Sequence, residues 1–497
     1  MTRLLIPILA ACLAVVPHTA AADAGHGIHF DIIDRFVAES VAKLDAPGAA
    51  VAVVKDGTIV YRKAYGRTGI APDAPLAVPE TMFGTGSIGK TFTSTLVLSL
   101  VEQGLIDLDA PVTRYLPEFR LSDDGATLTV TVRDLLTMRS GLGPSAQRLY
   151  HRDGAFDASS TDVTALLATV PLEGRTGIDW TYSNMDYMLL GQVVEAVTGM
   201  GFADAMRERI FGPLGMTATT YDGVKATEAG LVLHRSLFAH LTEVGTSDMP
   251  SSFAAAGLVF STIDDLGRFA ASQLPGTSTS VLTPATVAAA HEVIVPTGLD
   301  PGISFGFGWM VRSDQGEPYV FYEGGGSGMS AGIYLLPERR MAVVAMFNAA
   351  AYPGTWTIGR GITDIVRGRE PAPIGPSIFS LLGKGAWAVV LLSIVLTGAT
   401  AAITLRRRGQ PRASWRRRLI TGISVAMIVA AMGLLYLVTV VMPHSGGLLA
   451  ELTALPFRST WHGWPQEVVV ASSALTASLA MSALFLISTQ IRKKPHA

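Results

Sequence analysis

The sequence predicts an α+β domain, an antiparallel sheet flanked by helices, followed by a C-terminal bundle of three transmembrane helices. Three observations lead there. Strand pairs stand near both ends of residues 23–368, with apolar helical stretches between them. Three apolar runs of roughly the length a membrane span needs follow position 385. A mean hydropathy of +0.38, with only 16% charged residues, is too apolar for an ordinary soluble chain of 497 residues.

The elements follow in chain order. Met1-Thr2-Arg3, the apolar run from Leu4 to Val16 and the small residues Ala20-Ala21-Ala22 describe a secretory signal over 1–22. Leu9-Ala10-Ala11-Cys12 resembles a lipoprotein cleavage site, but the apolar stretch before Cys12 is short, so ordinary cleavage is expected. Cys12 is the single cysteine, which excludes an intramolecular disulfide and a cysteine-ligated zinc site. A net charge of −2 and a pI near 6.6 exclude the electrostatic footprint of a nucleic-acid partner. A mixed helix, DIIDRFVAESVAKL (31–44), precedes a hairpin, GAAVAVVKDGTIVYRKAYG (48–66), that turns at Asp56-Gly57.

The octapeptide GTGSIGKT, 84–91, fits two incompatible catalytic patterns. Gly84, Gly89, Lys90 and Thr91 have the spacing of a phosphate loop, while Ser87 and Lys90 form a Ser-x-x-Lys pair. A phosphate loop hangs from a buried parallel strand, and Pro79 and Glu80 in the preceding LAVPETMF spoil one. No downstream apolar run ends in an aspartate for magnesium, and ATP is scarce outside the membrane. Thr85 also breaks the Gly-x-Ser-x-Gly of α/β-hydrolases. Ser40 and Lys43 have the same spacing as Ser87 and Lys90, but they lie on the mixed helix, where a solvated face explains them. Lys90 instead opens KTFTSTLVLSLVEQG, a helix with no further charge until Glu102 and a stop at Gly104. A lysine there opposes the helix dipole and faces desolvation, both of which favour the neutral amine. At i, i+3, Ser87 and Lys90 share a face. A snorkelling lysine explains the pair equally well until further residues support it.

That support lies downstream. RTGIDWTYSNMDYMLLGQVVEAVTG (175–199) is a loop followed by an apolar helix, with Tyr182-Ser183-Asn184 at the join and Ser183 or Asn184 as N-cap. A tyrosine hydroxyl or tyrosinate beside Lys90 could carry the Ser87 proton to a leaving group. YVFYEGGGSGMSAGIYLLPERRMAVVAMFN (319–348) reads as two strands around a turn at Pro337-Glu338-Arg339-Arg340, and Gly324-Gly325-Gly326 permit close approach of a ligand or backbone.

The Pro-rich REPAPIGPS begins a linker, 369–386, and the three apolar spans are 387–405, 419–442 and 468–488. The loop 406–418 carries seven arginines and no acid, and the tail 489–497 carries Arg492-Lys493-Lys494. Both belong in the cytoplasm by the positive-inside rule, which puts the loop 443–467 and the domain 23–368 outside. The expected location is therefore the plasma membrane, with membrane lipid as a partner and the domain extracytoplasmic.

The segment from 27 to about 368 resembles the serine β-lactamase-related family, nearest to class C β-lactamases and the D-alanyl-D-alanine carboxypeptidase, D-aminopeptidase and esterase relatives. Ser87-x-x-Lys90, Tyr182-x-Asn184 and the Gly-rich strand at 322–328 stand in the family's order. LVEQGLIDLDAPVTRYLPE, DLLTMRSGL, PLGM, STIDDLGRFA and FGFGW are similar as well. The resemblance implies a β-lactamase/transpeptidase-like fold with Ser87 as nucleophile, Lys90 and Tyr182 sharing proton transfer, and Asn184 orienting the substrate amide. Backbone N–H groups of Ser87 and Gly325, with Gly324 beside them, would hold the oxyanion. The family's usual Lys or His falls on Tyr322, followed by Glu323. Without that cation a free carboxylate on the substrate loses its partner, which favours esters and uncharged amides over β-lactams. The implied activity is serine hydrolysis of a small-molecule, peptide or ester substrate through an acyl-enzyme, with no metal or organic cofactor. A slowly acylated or non-catalytic penicillin-binding or sensor module is the alternative, and a membrane protein that has lost the chemistry is a further one. Oligomeric state leaves no mark on the sequence.

Overall fold

β1 (Gly48–Lys55) is apolar up to Val54 because both of its faces are covered. Ala50, Ala52 and Val54 face the larger core, while Ala49, Val51 and Val53 face a smaller one. β2 (Thr58–Gly66) is the sheet edge and is accordingly far more exposed. Asp56 and Gly57 join the two strands at φ 50° and 78°, the paired left-handed conformation of a tight hairpin turn. This is a computed structural model. It describes residues 28–375 except 45, 124–125, 144–145, 147–166, 168–169, 238–239, 246–250, 278–279, 314–315, 327 and 351–353. The expected signal and the expected spans 387–405, 419–442 and 468–488, with their loops and tail, lie outside the described residues. Among the described residues, no helix is long and apolar enough to cross a membrane.

The strands β3 (Val295–Pro296), β4 (Ile303–Phe305), β5 (Met310–Arg312), β6 (Tyr319–Gly326), β7 (Met329–Leu336) and β8 (Met341–Phe347) complete an eight-stranded antiparallel sheet. Its order is β2-β1-β8-β7-β6-β5-β4-β3, so the first hairpin joins the last strands through β1 and β8. The sheet built from the two ends of the domain is as the sequence predicts. The segment 319–348, however, holds three strands and not two. Gly328, at φ 82°, reverses the chain between β6 and β7, so the glycine stretch ends in a turn of its own.

Helices cover both faces. α1 (Phe30–Lys43) buries Ile33 and Val37 with Ile358 and Ile362 of α5 (Gly354–Val366) on the smaller core. On the larger core, α2 (Gly89–Glu102) is buried from Gly89 to Leu100 and ends near Gly104, at φ 72°. α3 (Asn184–Thr198) starts at Ser183, whose hydroxyl accepts the Asp186 N–H, and stops at the left-handed Gly199. α4 (Ile263–Ser272) is capped in the same way by Thr262 and packs on β1 and β8. The solvated face expected for Ser40 needs correction. Ser40 is buried and donates to the Phe36 carbonyl, four residues back, while Lys43 is exposed.

Candidate active site

From Thr81 to Leu100 every residue is fully buried except Ser87. The octapeptide leaves a two-residue strand, Phe83–Gly84, that pairs antiparallel with Phe260–Ser261, so the parallel strand of a phosphate loop is not there. One tight turn, Gly86–Ile88, then runs into α2 and holds Ser87 at its mouth. Gly86 sits at φ 55°, and a Cβ on it would fall 2.7 Å from the Gly325 nitrogen. A Cβ on Gly324 would fall 2.1 Å from the Thr85 carbonyl oxygen. The glycines of β6 therefore let the backbones of the turn and the strand touch, as the sequence suggested.

Lys90 has no exposed surface. Its Nζ lies 2.6 Å from Asn184 Oδ1, 2.6 Å from the Ala256 carbonyl and 3.3 Å from Ser87 Oγ. Burial pushes the amine well below its ordinary pKa, which favours the neutral form. The first two oxygens can only accept, and a neutral amine has two N–H groups. Donating both to them leaves the lone pair for the hydroxyl proton of Ser87. The Tyr182 hydroxyl lies 2.8 Å from Ser87 Oγ on its other side, and the Tyr182 ring faces Nζ at 5.0 Å. Desolvation pushes the Tyr182 phenol up to about 12, so it is a neutral donor and not a tyrosinate.

The structure thus brings Ser87, Lys90, Tyr182 and Asn184 into direct contact, with Gly324 and Gly325 against the same turn. Tyr322 joins from β6, but it is fully buried. Its hydroxyl lies toward Tyr182 without making a hydrogen bond of normal length. It therefore stands beside Tyr182 with no surface of its own for a substrate. Glu323, expected to put a negative charge beside that position, points to the opposite face of the sheet and pairs with Arg360. Strand alternation is the reason. Among the described residues no cluster of His, Cys, Asp or Glu could hold a metal ion.

Two features had no clear signal in the sequence. The Ala256 carbonyl is a backbone group, and no residue type announces it. Asp186, fully buried, accepts the hydroxyls of Ser140 at 2.6 Å and Ser183 at 2.8 Å on one oxygen, and so ties the start of α3 to a neighbouring loop. Burial raises its pKa to about 8. The folded chain then holds a proton that the unfolded chain releases from about pH 4 upward. Asp186 stabilises the fold fully at low pH and loses that contribution as pH rises through about 8. Asp186→Asn is expected to remove this slope: Tm of the full chain should fall less between pH 5 and pH 9 than in wild type. Parallel Tm curves would show that Asp186 does not titrate there.

Comparison with known proteins bears on the family and the fold. The chain is 24% identical over 477 residues to Protein flp of Staphylococcus aureus (strain COL), covering 93% of this chain and 91% of that one. It is 28% identical over 351 residues to Unguisins hydrolase ungD' of Aspergillus campestris, covering 67% of this chain and 64% of that one. In fold it is similar to the octameric penicillin-binding protein homologue from Pyrococcus abyssi, with a TM-score of 0.61, 23% identity and coverage of 70% and 79%. It is also similar to the D-stereospecific amidohydrolase from Streptomyces sp., with a TM-score of 0.53, 24% identity and coverage of 64% and 94%. The beta-lactamase family profile matches residues 33–359, which span the sheet, the Ser87 turn and the start of α3, and the chain belongs to the beta-lactamase family.

Proposed function

We propose that this chain hydrolyses an ester or an uncharged amide through an acyl-enzyme on Ser87, on the outer side of the plasma membrane. One observation carries the reading: the single accessible side chain in a buried stretch is a serine whose hydroxyl lies between a buried amine and a phenol. Ser87 Oγ attacks the substrate carbonyl as its proton passes to Lys90 Nζ. The N–H groups of Ser87 and Gly325 hold the oxyanion, while Asn184 orients the substrate amide. The tetrahedral intermediate collapses, and the leaving group takes a proton from Tyr182, which Lys90 replaces. Water then attacks the ester on Ser87, giving a proton to Lys90, and the acid departs as Ser87 regains its own.

Membrane attachment rests on the three apolar segments and on the basic stretches 406–418 and 489–497. The likeness to the staphylococcal protein covers 93% of this chain and so continues past residue 375. Tyr322 supports a second reading, a slowly acylated or non-catalytic penicillin-binding or sensor module: with no cation at that position a substrate carboxylate is held weakly and acylation is slow or absent.

The test is intact-mass spectrometry of the full-length chain in detergent with benzylpenicillin over time, beside p-nitrophenyl butyrate hydrolysis, with Ser87→Ala as control. Ester hydrolysis that needs Ser87, with no penicillin adduct, is the expected result. A transient adduct would add β-lactam turnover. A lasting adduct would point to the penicillin-binding or sensor reading. No Ser87-dependent reaction of any kind would overturn the hydrolase.

A further inference from the structure

The peptide unit between Gly324 and Gly325 carries the N–H that faces the oxyanion in the reading above, and on its other end the Gly324 carbonyl. Within the sheet, that unit is held from one side, by the pairing of Gly324 with Ala331 and of Gly325 with Ser330 on β7. Gly324 to Gly326 have no side chains, and the pairing with β5 ends at Phe321 opposite Met310, so that beyond that point β7 is the one strand partner among the described residues. In front, the Ser87 turn touches the strand but cannot pull it closer, since the backbones already meet.

A further hold comes from behind. The Trp356 indole on α5 donates to the Gly324 carbonyl at 3.2 Å. One residue earlier, the Arg360 guanidinium grips both oxygens of Glu323, at 2.7 and 2.5 Å. The Tyr334 hydroxyl from β7 lies 2.7 Å from the same carboxylate and 3.1 Å from the Trp356 carbonyl. A peptide unit is planar and rigid, so fixing its carbonyl fixes the direction of its N–H. A donor on the carbonyl also polarises the unit and strengthens the N–H opposite.

We propose that Trp356, seconded by Arg360 through Glu323, is a positioning residue for hydrolysis: it aims and polarises the Gly325 N–H from the far side of the sheet. This rests on the serine-hydrolase reading. The experiment measures, on the full-length chain, the rate at which a fluorophosphonate labels Ser87 and the inhibition of p-nitrophenyl butyrate hydrolysis by phenylboronic acid, whose tetrahedral adduct mimics the oxyanion. Trp356→Phe, which keeps the ring and loses the N–H, is expected to lower the labelling rate and the boronate affinity together, on the order of tenfold. KM for the ester should stay within about twofold. A tryptophan that only packs would lower Tm and leave boronate affinity alone, and that result overturns the proposal. Should Trp356→Phe not fold, Arg360→Gln, at a partly exposed position, decides by the same two measurements. Wild type that is not labelled, or Ser87→Ala that is labelled equally, removes the hydrolase reading and this inference with it. Normal wild-type labelling with unaffected variants removes this inference alone.

Discussion

Ser87→Ala is expected to lower hydrolysis of p-nitrophenyl butyrate by the full-length chain on the order of 10⁴-fold or more, with Tm little changed. The loss is large because the hydroxyl beside Ser87 cannot take its place. The Tyr182 hydroxyl lies 2.8 Å away, but desolvation holds its phenol at about 12, so it stays protonated and is a poor nucleophile. Stability should hardly move, since Ser87 is the one residue of the stretch Thr81–Leu100 that is not fully buried. Residual activity within tenfold of wild type would mean that the chemistry lies elsewhere.

Lys90→Met should cost about 10³-fold in kcat, the middle of the range that a general base supplies. In wild type the rate is expected to rise with pH as the Lys90 amine, held well below its usual range by burial, loses its proton. Tyr182, at about 12, adds no limb of its own at ordinary pH. The variant should be slow and should lose that acid limb. Lys90→Arg should be equally slow, because a guanidinium does not deprotonate. Stability follows the same group with the opposite emphasis. Between its folded and unfolded pKa values the unfolded chain binds the extra proton, so burial of Lys90 costs stability at low pH, and that cost fades as pH approaches the unfolded value. Tm of wild type should therefore rise relative to Lys90→Met as pH increases. An acid limb that persists in Lys90→Met with kcat within tenfold of wild type would exclude Lys90 as the base.

What the sequence revealed, and what it hid, follows from the range of each interaction. Asp56-Gly57 between alternating apolar residues is a local signal, and the hairpin formed where it pointed. Lys90 at the head of an apolar helix was legible because a charge without nearby partners has few resting places. Tyr182 and Asn184 were legible as a motif, yet their contact with Lys90 spans more than ninety residues and no periodicity encodes it. β3, β4 and β5 were hidden because strands of two or three residues are too short to show alternation. The face on which Glu323 lies was equally hidden: only the pairing of β6 with β7 fixes which side of the sheet each residue takes.

The junction of β1 with β8 also sets an order of events for the chain. Ala49 pairs with Phe347, and the Gly48 N–H donates to the Asn348 side chain across 300 residues. A sheet closed by such distant partners cannot be completed until nearly the whole domain has emerged, and contacts of that sequence separation make folding slow. The Ser87 turn lies between these partners and rests on β6, so a chain still in synthesis can carry Ser87, Lys90 and Tyr182 without the strand that completes the site. Chain topology itself therefore withholds the site until the domain is whole.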